Sequence, residues 1–343
     1  MNARLERKLR LLAVIVAASV MVSIAYVFAQ GYTSPTAIAV GITYGLILSL
    51  SIGGISQFVL EGPMRMWLGG LSFTANMVVR SAIYAAILIP TQYYQLGSVL
   101  LGQPTVPSMR DFWIAMAFSV VVVVVINLVL GITNIIGPRA FLNFFIGRYH
   151  TPVEENRFVL FVDIAGSTSL AERLGGIAIH RLLDHTFRLL TLSVVDYRGE
   201  VLNYVGDEVI VTWPERSGAI ACRPLFCFMA MRDELLRASS QLEREFGAAP
   251  RIRGSLHFGP VIVGEIGDVK RAIVFNGDVM NTAARLEELS RNVEGGFLAS
   301  RAAMDRFNSA PPFAVRDLGR LPIRGRGDGI DVVGIDAPAP ARS

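Results

Sequence analysis

Three short stretches hold residue types whose spacing suits phosphate chemistry. The first is Phe158-Val-Leu-Phe-Val-Asp163-Ile-Ala-Gly-Ser-Thr168. Five apolar residues run into a carboxylate, and a Gly-Ser-Thr turn follows at once. This reads as a buried strand ending in Asp163, then a tight turn that opens a helix. A carboxylate at a strand tip, followed by the backbone N–H groups of Gly166, Ser167 and Thr168, suits a metal–polyphosphate site. The second stretch is Gly206-Asp207-Glu208, read as a hairpin turn. Asp207 would join Asp163 around a pair of divalent cations. Hard carboxylate oxygens suit Mg²⁺ or Mn²⁺, with substrate phosphates completing the coordination. Two metals polarise both the attacking and the leaving oxygens of a phosphoryl displacement. The plain alternative for Asp207 is an ordinary turn residue. The third stretch is Asn281-Thr-Ala-Ala-Arg285, whose end residues are four apart and share one face of a helix. An amide and a guanidinium aimed one way suit a ribose oxygen and a developing phosphorane charge. A solvated helix face is the alternative.

These side chains need a rigid frame, and the pattern from residue 158 onward supplies one. Strand Phe158–Asp163 leads into a helix from Ser167 to about Arg198. A hairpin follows, with strands Gly199–Tyr204 and Val209–Trp213. A second long helix runs from about Gly218 to Phe246. Strands Arg251–Phe258 and Val261–Glu265, joined by Gly259-Pro260, come next, then a helix from about Gly277 to Ser290 and a mixed tail. The order β-α-β-β-α-β is that of a ferredoxin-like α+β core. In such a core the first strand neighbours the hairpin, so Asp163 and Asp207 converge.

The residues before this frame have a different character. The chain of 343 residues is 52% apolar and 17% charged, against about 25% charged in ordinary soluble domains. Between Leu11 and Phe145 the charged residues are only Glu61, Arg65, Arg80, Arg110, Asp111 and Arg139. Four apolar segments reach spanning length: about Leu11–Ala29, Ala37–Val59, Leu68–Ile89 and Phe112–Ile132. A cleaved signal peptide is the alternative for the first, but no small-x-small cleavage site follows it. Arg4, Arg7, Lys8 and Arg10 precede the first span, while Gln30–Thr36 has no charge. The positive-inside rule then puts the N-terminus in the cytoplasm, and four spans return the chain there. Arg80 inside the third span is either functional or held by snorkelling or a backbone carbonyl. Residues 137–155 form a linker: Gly137-Pro138 ends or kinks the fourth helix, and Phe141, Leu142, Phe144 and Phe145 give an apolar face. Much of the net charge of +4 sits at the N-terminus, so no nucleic-acid surface is indicated. Cys222 and Cys227 have no other cysteine to pair with and read as core thiols of a reducing compartment.

Taken together, Phe-Val-Asp163-Ile-Ala-Gly-Ser-Thr, Gly206-Asp207-Glu208, His257-Phe-Gly259 and Gly277-Asp278-Val-Met-Asn281-Thr-Ala-Ala-Arg285-Leu-Glu resemble the class III nucleotidyl cyclase catalytic domain. Order and spacing match from about 155 to 335. The resemblance implies a homodimer that converts ATP into cyclic AMP and pyrophosphate; the four spans and the basic N-terminus add an expected place in the cell (inner) membrane, with the catalytic domain in the cytoplasm. It implies two Mg²⁺ or Mn²⁺ ions per active site, held by Asp163, Asp207 and the backbone carbonyl of Ile164. The turn Ala165, Gly166, Ser167 and Thr168 would border the substrate, Asn281 would orient the ribose, and Arg285 would stabilise the transition state. Gly325-Arg326-Gly327 resembles the family's late Gly-Lys-Gly, which puts Arg326 on the triphosphate. Metals would come from one chain and Asn281 and Arg285 from the other, so a lone monomer would be inactive. The implied architecture is a membrane domain over 1–136, a linker over 137–155, a catalytic domain over 156–336 and a disordered tail over 337–343.

Two positions depart from the family pattern. Asn203 stands where adenine-reading members carry Lys and guanine-reading members Glu, and Val274 stands where the partner Asp or Thr is expected. Asn203 still donates to or accepts from a base edge, whereas the Val274 side chain does neither. ATP is the expected substrate, with GTP the alternative. A degenerate domain that binds nucleotide or a partner without turnover is a further reading, opposed by the intact Asp163, Asp207, Asn281 and Arg285. Val205-Gly-Asp-Glu-Val209 only superficially resembles a diguanylate cyclase signature, and no G-x-x-x-x-G-K-[ST] phosphate loop exists.

Overall fold

The computed structural model describes residues 3–60, 62–64, 67–68, 70–93, 108–137, 141–143, 146–269, 271–323 and 329–336. The chain forms two compact units, Met1–Ile136 and Gly137–Ser343.

The first unit contains helices α1 (Ala3–Ala29), α2 (Pro35–Leu48), α3 (Phe73–Tyr93) and α4 (Met109–Ile136). Helix α2 starts where Ser34 Oγ accepts the Ala37 N–H and Pro35 takes a first-turn position that needs no donor. It continues through π-helical turns Ser49–Gly53 and Ile55–Leu60. Four segments of this unit are long and apolar enough to cross a membrane: Lys8–Ala29, Pro35–Leu60, Thr74–Tyr93 and Met109–Thr133. Helices α1 and α2 approach closely at glycines: a Cβ added at Gly45 would sit 2.8 Å from Val20 Cα, and one at Gly41 would sit 2.7 Å from Val27 Cγ2. Small residues serve such helix contacts. Helix α3 begins at Phe73 rather than Leu68, because Ser72 Oγ takes the Ala75 N–H and defines the start. Arg80 Nε donates to Asn76 Oδ1 at 2.7 Å, and Asn76 Nδ2 donates to the Leu68 carbonyl at 3.0 Å. A side-chain amide, not a backbone carbonyl, therefore receives this guanidinium nitrogen.

The second unit is built on an eight-stranded sheet. Its strands are β1 (Val153–Ala165), β2 (Glu200–Val205), β3 (Glu208–Pro214), β4 (Arg251–Ile266), β5 (Ala272–Asn276), β6 (Phe297–Ser300), β7 (Ala314–Leu321) and β8 (Ile330–Asp336). The order β2-β3-β1-β4 is the ferredoxin-like core. Strands β6, β8 and β7 extend it, and β5 pairs with the far half of β4. The helices are α5 (Ser167–Leu174), α6 (Gly176–Asp196), α7 (Arg223–Phe246) and α8 (Asp278–Ser290). Strand β1 is apolar on both faces because both are covered. Phe158, Leu160, Val162 and Ile164 share one core with Leu182, Leu190, Leu225 and Phe228 of α6 and α7. Val159 and Phe161 share another with Val279 and Ala283 of α8. Cys222 and Cys227 are free and buried.

Several boundaries differ from the sequence reading. The helix expected from Ser167 to Arg198 is two helices, divided at Gly175, whose φ of +82° breaks the helical path. No turn forms at Gly259-Pro260. Strand β4 runs straight through, with Asn156 opposite Pro260 and Arg157 opposite Gly259, and β1 pairs with it continuously from Arg251 to Val263. The α7 helix begins at Arg223, after single turns at Glu215–Gly218 and Ile220–Cys222. The linker is shorter than 137–155, because β1 already starts at Val153. Its end is packed on β4: Glu265 N–H donates to the Tyr149 carbonyl at 3.0 Å, and Tyr149 is buried. Pro138, Phe144, Phe145, Arg326 and the tail 337–343 lie outside the described residues.

Gly254 shows how tightly the sheet meets α7. A Cβ there would lie 2.5 Å from the Phe161 carbonyl oxygen and 3.1 Å from Phe228 Cε2. Gly254→Ala is expected to destabilise the unit by about 1–3 kcal/mol. Calorimetry of the full chain should show the unfolding midpoint lowered by several degrees, and an unchanged midpoint would refute this account of the packing.

Candidate active site

The paired strands decide which side chains meet. Asp163 lies opposite Glu208 of β3 and opposite Arg253 of β4. It shares the α8-facing side of β1 with Val159 and Phe161, by the two-residue alternation of a strand. Asp207 occupies a two-residue turn with Gly206, closed by the Val205–Glu208 pair. Gly206 has φ +64°, the left-handed conformation such hairpin turns favour. The turn is tied to the end of β1, because Ile164 N–H donates to the Asp207 carbonyl at 3.3 Å. The Ser167 hydroxyl, in the first turn of α5, donates to the Asp207 carboxylate. Asp163 and Asp207 lie close enough for each to shift the other's carboxyl.

The electrostatics follow from this crowding. Burial, helped by the hydrogen bond to Asp207 and the charge of Glu287, pushes the Asp163 carboxyl up to about 7, against the pull of Arg253. Burial, with Glu287, Asp163 and Asp207 nearby, likewise pushes Glu208 up to about 7. Burial works to raise Asp207 too, but the Ser167 and Asp163 hydrogen bonds outweigh it and hold that carboxyl below its usual value. Two adjacent carboxylates are a donor set for a cation, and their oxygens are hard ligands suited to Mg²⁺ or Mn²⁺. Among the described residues no three His, Cys, Asp or Glu side chains form a metal cluster. The pair would therefore need further oxygens, from the Ile164 carbonyl or from a phosphate substrate.

Beside the carboxylates, Gly166 has φ +74° and caps α5. The N–H groups at a helix start have no acceptor within the helix, so those of Ser167 and Thr168 suit an anion. Asn203 is exposed on β2, and its Oδ1 accepts the Tyr204 N–H at 2.9 Å. Val274 lies on β5 opposite Gly264 and is half-buried. Asn281 is exposed and Arg285 half-buried on α8. Among the described residues, no hydrogen bond or ion pair joins either to Asp163 or Asp207. Arg326 lies outside the described residues.

The sequence reading missed the cations and the extra acids around Asp163. A terminal nitrogen of Arg253 donates to Asp163 Oδ2, and Arg253 Nε lies 3.3 Å from Glu287 Oε1. Arg291 lies 3.9 Å from Asp163 Oδ2 and 3.8 Å from Glu287 Oε2. These contacts depend on register across two strands and a helix, which local spacing does not reveal.

Residues 150–333 match the family described as the adenylate and guanylate cyclase catalytic domain. The chain is 30% identical over 309 residues to "Adenylate cyclase 2" of Rhizobium meliloti (strain 1021), an alignment covering 87% of this chain and 83% of that protein. It is 28% identical over 180 residues to "Adenylate cyclase 1" of the same organism, covering 50% of this chain and 26% of that protein. Among solved structures, a bacterial light-regulated adenylyl cyclase is similar in fold, with a TM-score of 0.56, 20% identity and 65% of each chain covered.

The carboxylate cluster gives a pH signature. A carboxyl whose folded-state value lies above its unfolded value binds more protons when folded between the two. The stability it contributes is present below the unfolded value and is lost as pH rises through the folded one. For Asp163 and Glu208 that window runs from about 4 to about 7. The metal-free protein should therefore lose thermal stability as pH rises across this window. Asp163→Asn should flatten the loss, and added Mn²⁺ should reverse it at neutral pH. A calorimetric profile equally steep in wild type and Asp163→Asn would contradict the assignment.

Proposed function

Because this chain belongs to the adenylate and guanylate cyclase catalytic-domain family, we propose that it is a membrane-anchored adenylyl cyclase that forms 3′,5′-cyclic AMP and pyrophosphate from ATP at sites shared by two copies. The observation that carries the reading is the Asp163–Asp207 pair, brought together where β1 pairs with β3 and the Ile164 N–H holds the Asp207 carbonyl of the β2–β3 turn. Asp163, Asp207 and the Ile164 carbonyl would hold two Mg²⁺ or Mn²⁺ ions. When bound, these ions supply charge neutralisation and polarise the reacting oxygens.

The chain's own residues do the rest. The α5 start at Gly166, Ser167 and Thr168, with Ala165 before it, receives phosphate oxygens. Asn281 holds the ribose by its amide, so that the 3′-hydroxyl faces the α-phosphorus. Arg285 stabilises charge on the phosphorane, where a preorganised donor matters most. Arg326 assists on the triphosphate. Among the described residues no hydrogen bond or ion pair joins Asn281 or Arg285 to the carboxylate pair of their own chain, which supports their service to the site of a second chain. Asn203 reads the base with its amide N–H donors, since its own oxygen is already engaged by Tyr204, while Val274 provides only an apolar wall. The adenylate cyclase relatives support ATP over GTP.

The four apolar helices would anchor the protein in the cell membrane. The basic N-terminal tail supports a cytoplasmic N-terminus, and the even number of spans puts the catalytic unit on the same side.

Membranes containing the full chain, supplied with Mn²⁺ and either ATP or GTP, should form cyclic AMP. Asp163→Ala should lower the rate by about a hundredfold or more, and Arg285→Ala by about 10²–10³. Cyclic GMP as the main product would reverse the base assignment, and no turnover of either nucleotide would sink the enzyme reading. Mixing Asp207→Ala with Asn281→Ala chains should restore activity, because one of the two mixed sites is then intact. If the two inactive chains never restore turnover together, the shared-site reading fails.

A further inference from the structure

Glu287 is an unusual carboxylate. It is 3% exposed, and a charge so buried is costly unless it is matched. Its match is Arg253, whose Nε lies 3.3 Å from Glu287 Oε1 and whose far end donates to Asp163. Arg291, one helical turn after Glu287, lies near both acids. One guanidinium thus spans from a buried acid on α8 to the metal carboxylate on β1.

The position of Glu287 on α8 adds a second consequence. Arg285 and Glu287 are two residues apart, which places them about 200° apart around a helix. Val279, Ala283 and Leu286 of the same helix are buried, so α8 cannot roll without breaking its core contacts. Glu287 turns inward to the acid–base cluster, while Asn281 is exposed and Arg285 half-buried.

We propose that Glu287 is a positioning residue for two sites at once: through Arg253 it sets the metal-binding corner of its own chain, and through the same ion pair it fixes the helix that presents Asn281 and Arg285 to the other chain. The second half rests on the shared-site reading above; the first does not. The Arg253 guanidinium has five donors in a rigid fork. With Nε held by Glu287, a terminal nitrogen of the same fork is directed to Asp163. Without that hold it is free to swing, and the Asp163 carboxylate loses its fixed partner. Outer partners of metal ligands matter in this way, and removing one costs about 10–100-fold in metal affinity.

The test uses the purified full chain and Glu287→Gln, which keeps the shape and removes the charge. Mn²⁺ binding is followed by the loss of the free-ion electron paramagnetic resonance signal, with a non-cyclisable ATP analogue present and no turnover. Glu287→Gln should weaken Mn²⁺ binding by about tenfold, and Glu287→Asp should fall between it and wild type. Mixed dimers then separate the two roles. Placed on the chain that carries Asn281→Ala and supplies the metals, Glu287→Gln should raise the Mn²⁺ concentration needed for half-maximal rate. Placed on the chain that carries Asp207→Ala and supplies Asn281 and Arg285, it should lower kcat at saturating Mn²⁺ and leave the metal requirement unchanged. Unchanged Mn²⁺ binding by Glu287→Gln with a wild-type melting profile overturns the positioning role. Identical effects from both placements overturn the two-site role. Should Glu287→Gln fail to fold, Glu287→Asp decides the first point, and wild-type Mn²⁺ binding by it overturns the proposal. Inactive mixed dimers would strike the shared-site reading, and the binding measurement would still decide the role of Glu287 in its own chain.

Discussion

Two carboxylates sharing a partly desolvated corner repel each other, and much of the catalytic unit is arranged around bearing that repulsion. Asp163 and Asp207 are forced together because β1 pairs with β3 on one side and the β2–β3 turn is tied to Ile164. The protein answers on two sides. Ser167 donates to Asp207, and Arg253 donates to Asp163. Burial and the neighbouring acids still push the Asp163 carboxyl up to about 7. A carboxyl so disfavoured as an anion gains from a nearby cation, which offsets the same cost.

The same logic appears on the opposite half of β1. Arg157 is buried, and its guanidinium is matched by Glu155 at 2.8 Å and Glu200 at 3.2 Å while lying 5.0 Å from the centre of the Phe275 ring. Tyr149 donates to the same Glu155 at 3.2 Å. Burial works to raise Glu155, but Arg157 and Tyr149 outweigh it and keep the carboxyl below its usual value. This cluster ties the segment before β1 to β1, β2 and β5. It makes the register of β1 costly to shift, and that register brings Asp163 opposite Glu208 and Arg253. A slip of one residue would exchange the two faces of β1 and send Asp163 into the α6–α7 core.

Much of this was legible in the chain, and the illegible parts have a common cause. The strand into Asp163 and the hairpin around Asp207 announce themselves by local signals: an apolar run, a turn glycine, a helix start. So do the four apolar segments, each long enough to register by composition alone. The misreadings came where tertiary pairing overrode a local sign. Gly259-Pro260 looks like a turn, yet β1 supplies thirteen paired residues and carries β4 through it. Pro260 needs only to forgo its donor, and Gly259 leaves room for Val279, whose Cγ2 would lie 3.3 Å from an added Cβ. Strand β5 is only five residues long and has no periodic signal of its own. Arg253 and Glu287 stayed hidden because they lie ninety and more residues from Asp163 and meet it only through the fold.

Helix α8 presents different residues on its different faces. Its inward side is set by Val279, Ala283 and Leu286 against the sheet and by Glu287 in the acid–base cluster. The side chains that would meet the ribose and the phosphorane point elsewhere. In one chain the carboxylates Asp163 and Asp207 lie at the β1 and β2–β3 corner, while Asn281 is exposed and Arg285 half-buried on α8. On the proposed reading, a second copy would bring the complementary half. Under the shared-site reading proposed above, the internal stiffness that fixes Asp163 would also make assembly a condition of catalysis, and an influence on how two copies meet would act on the reaction without touching either carboxylate.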